Sequence, residues 1–313
     1  GYRALIESDA WRLEAGGYLI QRGGSLVALR VPEDATPTTP FRLLCAHTDS
    51  PNLRVKPRPD VRSGALRQLG VEVYGGVLLN SWLDRDLGLS GRAYVRNGDE
   101  PHERLFRVDR PLLRVPQLAI HLDRDVNRNG LLLNPQTHLR PIWATDAGVE
   151  GGFRALLAAE LGVDASDVLS WDAMCHDVQP SALLGATEEF VSAPRLDNLA
   201  SCHAALRALE TAADGPSIGV VCLFDHEEVG SGSDRGAQSP LLRDLLERTV
   251  LARGGDREDY HRACARSVCV SIDMAHATHP NYPERHDAEH TLTMNSGPVL
   301  KINVNQRYAT QAE

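Results

Sequence analysis

Three apolar, strand-like stretches of this chain each run straight into side chains that bind metal. Residues 43–46 lead into His47-Thr48-Asp49, residues 220–224 into Asp225-His226-Glu227-Glu228, and residues 268–272 into Asp273. In open α/β sheets the reactive groups collect at the carboxyl ends of the strands, so three such ends imply one shared site. The mixture of imidazole and carboxylate is that of a divalent-metal centre, with zinc as the first expectation.

The pattern along the chain fits such a sheet, with one interruption. Short strands are expected at 17–22, 25–31 and 41–46, separated by Gly- and Pro-rich turns. Between about residues 57 and 191 alternating stretches such as Val71-Glu72-Val73-Tyr74, 92–96 and 104–108 indicate half-exposed antiparallel strands, with helical patterns at 151–161 and 165–171 and Asp164 as N-cap of the second. After Ala193 helix and strand alternate again: helices at 198–212, 240–252 and 257–266, buried strands at 218–224 and 267–272, and a last strand-like segment at 298–303. The expected fold is therefore α/β, a mostly parallel sheet with helical cover, interrupted by a β-rich insertion.

A formal charge of −9 argues against a nucleic-acid surface, which needs clustered Lys and Arg. No apolar run approaches the roughly 20 residues of a membrane helix, so neither nucleic acid nor membrane is an expected partner and the cytoplasm is the expected location. The six cysteines form no CxxC pair and are expected as buried, reduced thiols.

Taken singly, the site residues leave alternatives open. His47 and Asp49 are two apart, which in extended backbone puts them on one face, and a metal-bound His commonly has its second nitrogen oriented by a carboxylate. Asp197, at the start of a helix, reads equally as a cap or as a metal ligand. Glu227 and Glu228 repel each other unless a cation or a raised pKa absorbs the cost, and one of such a pair can ligate metal while the other faces the attacking water. Asp273 is favoured as a ligand over His276 and His279, which are expected to be structural. There is no His-Glu-x-x-His helix and no Gly-x-Ser-x-Gly elbow, and the run 230–236 reads as a tight turn.

At Ala46-His47-Thr48-Asp49-Ser50-Pro51, Tyr74-Gly75-Gly76, Trp82-Leu83-Asp84-Arg85-Asp86-Leu87, Leu118-Ala119-Ile120-His121-Leu122, Arg195-Leu196-Asp197-Asn198, Asp225-His226-Glu227-Glu228-Val229-Gly230-Ser231, the run 273–282 and the run 297–303, the chain resembles the M18 family of metallo-aminopeptidases, the aspartyl aminopeptidase group. The resemblance implies a zinc-exopeptidase-like catalytic domain over 1–57 and 192–313, incomplete at both ends, and an inserted β-rich dimerisation domain over 58–191. It implies two divalent metal ions, zinc first, with cobalt or manganese as alternatives. His47 would bind one ion, Asp197 would bridge both, Glu228 and Asp273 would each complete one shell, Glu227 would be the general base, and Asp49 would support the site. A fifth ligand, a histidine, would lie beyond residue 313. His121 would reach a neighbouring subunit's site, and Lys301 and Tyr308 would touch substrate, Lys301 by meeting an acidic first residue. The implied function is removal of the N-terminal residue from peptides, with acidic residues preferred, by a homo-oligomer built from dimers up to a dodecamer. A two-metal amidohydrolase or deacetylase and a catalytically silent oligomeric homologue are the competing readings.

Overall fold

A computed structural model describes residues 1–302. The chain opens with β1 (Tyr2–Ala4), β2 (Gly16–Arg22), β3 (Ser25–Val31) and β4 (Phe41–His47). It then builds a second layer from β5 (Asn52–Ser63), β6 (Leu66–Tyr74), β7 (Leu87–Asn97), β8 (Glu100–Leu113), the single turn α1 (Val126–Asn129), β9 (Ile142–Thr145), α2 (Phe153–Leu161) and β10 (Val168–Asp177). A small hairpin, β11 (Ala182–Leu184) and β12 (Phe190–Ser192), precedes the return through α3 (Leu196–Thr211), β13 (Ile218–Phe224), α4 (Leu241–Ala252), α5 (Arg257–Ala265) and β14 (Val268–Ser271).

The first sheet has the order β1-β2-β3-β13-β4-β14. Its site-bearing half is parallel, with β13 and β14 flanking β4 in register Phe224↔His47 and Ser271↔Cys45. The β2–β3 hairpin adds the antiparallel pairings, so the sheet is mixed. Strand β13 shows why both faces need cover. Ile218, Val220, Cys222 and Phe224 pack toward Leu241, Leu245 and Val250 of α4, while Val221 and Leu223 pack toward Cys202, Ala205 and Leu209 of α3. A strand buried on both faces is necessarily a continuous apolar run, and this one is.

The second sheet, order β8-β7-β10-β5-β6-β9, is antiparallel throughout, with α2 covering one face. Its core includes Leu53, Leu69, Leu87, Leu89, Phe153 and Val168. Its first strand starts at Asn52, a few residues before the expected insertion boundary.

The helical expectation at 165–171 gives way to one 3-10 turn, Ala165–Asp167, followed by β10. Asp164 precedes that turn without a side-chain capping bond. Pairing of β10 with β7 overrides the local helical pattern, since Val168, Ala173 and Cys175 are buried on the sheet. Residues 298–302 carry no regular secondary structure, and Tyr308 lies outside the described residues. All six cysteines are free, but only Cys175, Cys202 and Cys222 are buried: Cys45 and Cys264 are half-buried, and Cys269 is exposed on β14, the edge strand among the described residues. Among the described residues no helix is long and apolar enough to cross a membrane.

Candidate metal centre

The carboxyl ends of β4, β13 and β14 meet at one place, and backbone hydrogen bonds fix how. Thr48 N–H donates to Phe224 O (2.8 Å) and Ile272 N–H to Cys45 O (2.7 Å), locking the three strand ends together. The start of α3 is tied to the same point. Asn198, fully buried, donates from Nδ2 to Ile272 O (2.9 Å), and Ser50 Oγ donates to Asp197 O (3.1 Å). Asp197 itself has non-helical backbone angles (φ −80°, ψ 108°) and the helix has no side-chain cap. Its carboxylate turns toward the strand ends rather than capping the helix.

His47 is the centre of the arrangement, with a side chain only 6% exposed. Its Nδ1 donates to Asp49 O at 3.0 Å and lies 3.5 Å from Asp49 Oδ1. That leaves Nε2 as the free nitrogen, and the carboxylates gather around it: Asp197 Oδ1 at 3.2 Å, Asp273 Oδ1 at 3.6 Å and Glu227 Oε2 at 3.9 Å. One donor atom each from His47, Asp197 and Asp273 falls within 4.8 Å of the others. Burial lowers the His47 pKa, but the hydrogen bond to Asp49 and the charges of Glu227 and Asp273 outweigh it and raise it to about 9.

Asp49 supports this centre from below. Its carboxylate accepts from Glu227 N–H and Glu228 N–H, each at 3.1 Å, and from Tyr74 Oη–H at 2.6 Å. Burial pushes its pKa up, yet the hydrogen bonds from His47, Tyr74 and the two backbone amides win and hold it down at about 2. Tyr74 is raised well above its ordinary value, by burial first and then by Asp49, so it remains a donor.

The adjacent acids adopt different surroundings. Residues Glu227–Val229 form a 3-10 turn entered through His226 at φ +65° and left through Gly230 at φ +93°. Glu227 reaches the His47 cluster, whereas Glu228 lies against Gly75 and stands outside that group of three. Burial raises Asp197, Glu227 and Glu228 above the usual carboxylate range; Asp273 adds to the first two and Glu227 to the third. Carboxylate oxygens gathered around one imidazole nitrogen are a donor set that fits a divalent cation.

A cleft of about 980 Å³ between the two sheets opens onto this cluster. Asp49, Asp197 and Glu228 line one wall and Arg54, Asp172 and His176 the other. His121 sits in an exposed 3-10 turn, Ile120–Leu122, away from the cleft lining, and Lys301 is likewise exposed and outside it. His279 makes local contacts only, accepting from Asn281 N–H and packing on Tyr282. Tyr74 and Asn198 stood in the sequence only as members of motifs that carry the resemblance, with no role given to the Tyr74 hydroxyl or the buried Asn198 amide, because a motif does not reveal a partner.

The model of the family described as Aminopeptidase I zinc metalloprotease (M18) matches residues 1–313. The chain is 55% identical over 315 residues to a "Probable M18 family aminopeptidase 2" of Streptomyces coelicolor, an alignment covering 99% of this chain and 72% of that protein. Among solved structures, one described as the Ape4 and Nbr1 complex superposes with a TM-score of 0.94 at 35% identity, covering 99% of this chain and 65% of that one, short of two thirds. Another, described as the S. cerevisiae mApe1 dodecamer, superposes with a TM-score of 0.79 at 26% identity over 95% of this chain and 69% of that one.

Proposed function

The chain belongs to the M18 family of zinc metalloproteases, and on that premise we propose that it carries the core of a two-metal aminopeptidase that removes the first residue of peptides. The observation that carries this reading is the position of Glu227 Oε2, 3.9 Å from the same His47 Nε2 that faces Asp197 and Asp273. His47, Asp197 and Asp273 would hold metal, Asp197 as the shared ligand, and Glu228, which lines the same cleft, would ligate the other ion. Zinc bound there supplies Lewis-acid polarisation of the scissile carbonyl and acidifies the attacking water.

The side chains then divide the remaining work. Glu227, raised by burial and by Asp273, takes the proton of the attacking water and hands it to the leaving amine. Asp49 holds His47 with Nε2 outward and, through two backbone amides, fixes the turn from which Glu227 projects. The exposed carboxylates at the cleft attract the free α-ammonium of a peptide, which restricts cleavage to chain ends. A preference for acidic first residues, through Lys301, and substrate contacts from Tyr308 belong to this proposal.

A homo-oligomer is supported by the dodecamer described for the related yeast protein. Dimer contacts are proposed through the inserted sheet, where Leu118, Ile120 and Leu122 are exposed beside His121, which would reach a neighbour's site. The proposed location is the cytoplasm, on the strength of cysteines without disulfide spacing.

Replacement of Glu227 by Gln in the full-length protein tests the central step. Turnover of free-amine peptides should be lost while metal content is unchanged, and N-blocked peptides should resist the unaltered enzyme. Turnover retained in Glu227→Gln removes it as the base; cleavage of blocked peptides replaces the aminopeptidase with an amidohydrolase.

A further inference from the structure

Tyr74, at the end of β6, and the two glycines that follow it bring the second sheet up to the metal centre, where Tyr74 and Gly75 each meet a different part of it. Tyr74 Oη donates to Asp49 Oδ2 at 2.6 Å. Gly75 has φ +75°, and a Cβ there would stand 2.8 Å from Glu228 Cβ and 3.0 Å from its Oε2, so only glycine leaves room for that side chain. Gly76 lines the same cleft as Glu228, and its backbone amide draws the Glu228 pKa back down against burial.

Behind the Tyr74 ring lies Arg54 of β5. Its guanidinium carbon is 3.9 Å from the ring centroid, and Nη1 donates to Asp172 Oδ1 of β10 at 2.9 Å. Arg54 Nε is buried with no hydrogen-bond acceptor, so the electron-rich ring face is the partner that compensates this guanidinium. Asp172, Arg54, Tyr74 and Asp49 thus form one continuous line from β10 of the second sheet, at the cleft, to Nδ1 of His47.

We propose that Tyr74-Gly75-Gly76, backed by Arg54, is a positioning brace: it sets the carboxylates of Asp49 and Glu228 and through them the outward nitrogen of His47 and the pose of Glu227. The inference rests on the metal-centre reading above. Packing alone does not account for the hydroxyl, because Phe would fill the same space in β6. The phenol instead satisfies Asp49 Oδ2, which otherwise has only the Glu228 amide. Without that donor the carboxylate is free to rotate, and both His47 and the 227–228 turn lose their common anchor. Groups that orient a metal-bound histidine cost about 10- to 100-fold in metal affinity or activity when removed.

Tyr74→Phe in the full-length, zinc-loaded enzyme tests the brace. The expected result is kcat lowered about tenfold or more with KM within about twofold, together with about tenfold weaker zinc binding in a chelator competition. Arg54→Met, which keeps the aliphatic stem, should move both readouts the same way by less, and the double variant should be no worse than Tyr74→Phe alone. Unchanged kcat and zinc affinity in Tyr74→Phe overturn the proposal. So does a lower Tm with kcat per bound zinc unchanged, which makes Tyr74 a packing residue. If Tyr74→Phe does not fold, Arg54→Met decides on the same two measurements. Turnover retained in Glu227→Gln would sink the general-base reading alone, because the zinc affinity of Tyr74→Phe still reports on the brace.

Discussion

Asp49→Asn changes one atom and leaves the volume, which makes its consequence calculable. The carboxylate presents Oδ1 to Glu227 N–H and His47 Nδ1, and Oδ2 to Glu228 N–H and Tyr74 Oη–H. An amide has one acceptor oxygen, so its NH₂ must face one of these donor pairs. Toward Oδ1 it opposes both an amide and the imidazole N–H. Toward Oδ2 the Tyr74 hydroxyl can turn and accept, leaving only Glu228 N–H without a partner. The second arrangement is therefore the cheaper, and one part-buried N–H left unsatisfied costs about 1–3 kcal/mol. If that cost falls on the segment carrying Glu227 when the transition state forms, kcat drops about 5- to 150-fold, at 1.36 kcal/mol per factor of ten. Steady-state kinetics on a free-amine dipeptide at saturating zinc, with kcat and KM resolved separately, measure it. A kcat within about twofold of the unaltered enzyme would show that the Asp49 hydrogen bonds do not govern the geometry of Glu227, and the reasoning would fail.

Two further outcomes follow from the same geometry. Gly75→Ala introduces a Cβ into the space of Glu228 at a positive φ, so bound zinc measured by atomic absorption should fall below the unaltered stoichiometry even where the fold survives by circular dichroism. Chelation should abolish activity without loss of far-UV circular dichroism, because the strand ends are locked by their own backbone hydrogen bonds, and added zinc should restore turnover. Loss of secondary structure on chelation would instead make the metal a folding ligand.

Much of the first sheet was legible because its strands are buried on both faces and read as unbroken apolar runs. Residues 218–224 matched β13 for this reason, and the side chains that follow three such strands lie close together. Helices with strong periodicity, such as 240–252, were legible to within a residue. The failure at 165–171 has a physical cause: the helical signal there was local, whereas β10 is stabilised by its long pairing with β7. The same holds for the site's lower half. The pair His47 and Asp49 was visible as an i, i+2 relation, but Tyr74 is joined to Asp49 only by the contact between two sheets, and nothing near Tyr74 in sequence announces a carboxylate partner. The different environments of Glu227 and Glu228 were equally hidden, since they depend on Gly76 from the other layer.

The chain leaves the first sheet at His47 and comes back beside it at Asp197, at the start of the helix that covers that sheet, and these two residues face each other at 3.2 Å. The whole second sheet is thus a long excursion whose neck is closed by the reactive centre, and Asp273 completes that closure from a strand made later still. Such non-local contacts form late, because loop-closure entropy precedes the reward. Because β14 pairs with β4 across most of the chain's length, His47, Asp197 and Asp273 come together only when these distant segments have met, so their meeting reports that both layers are in place.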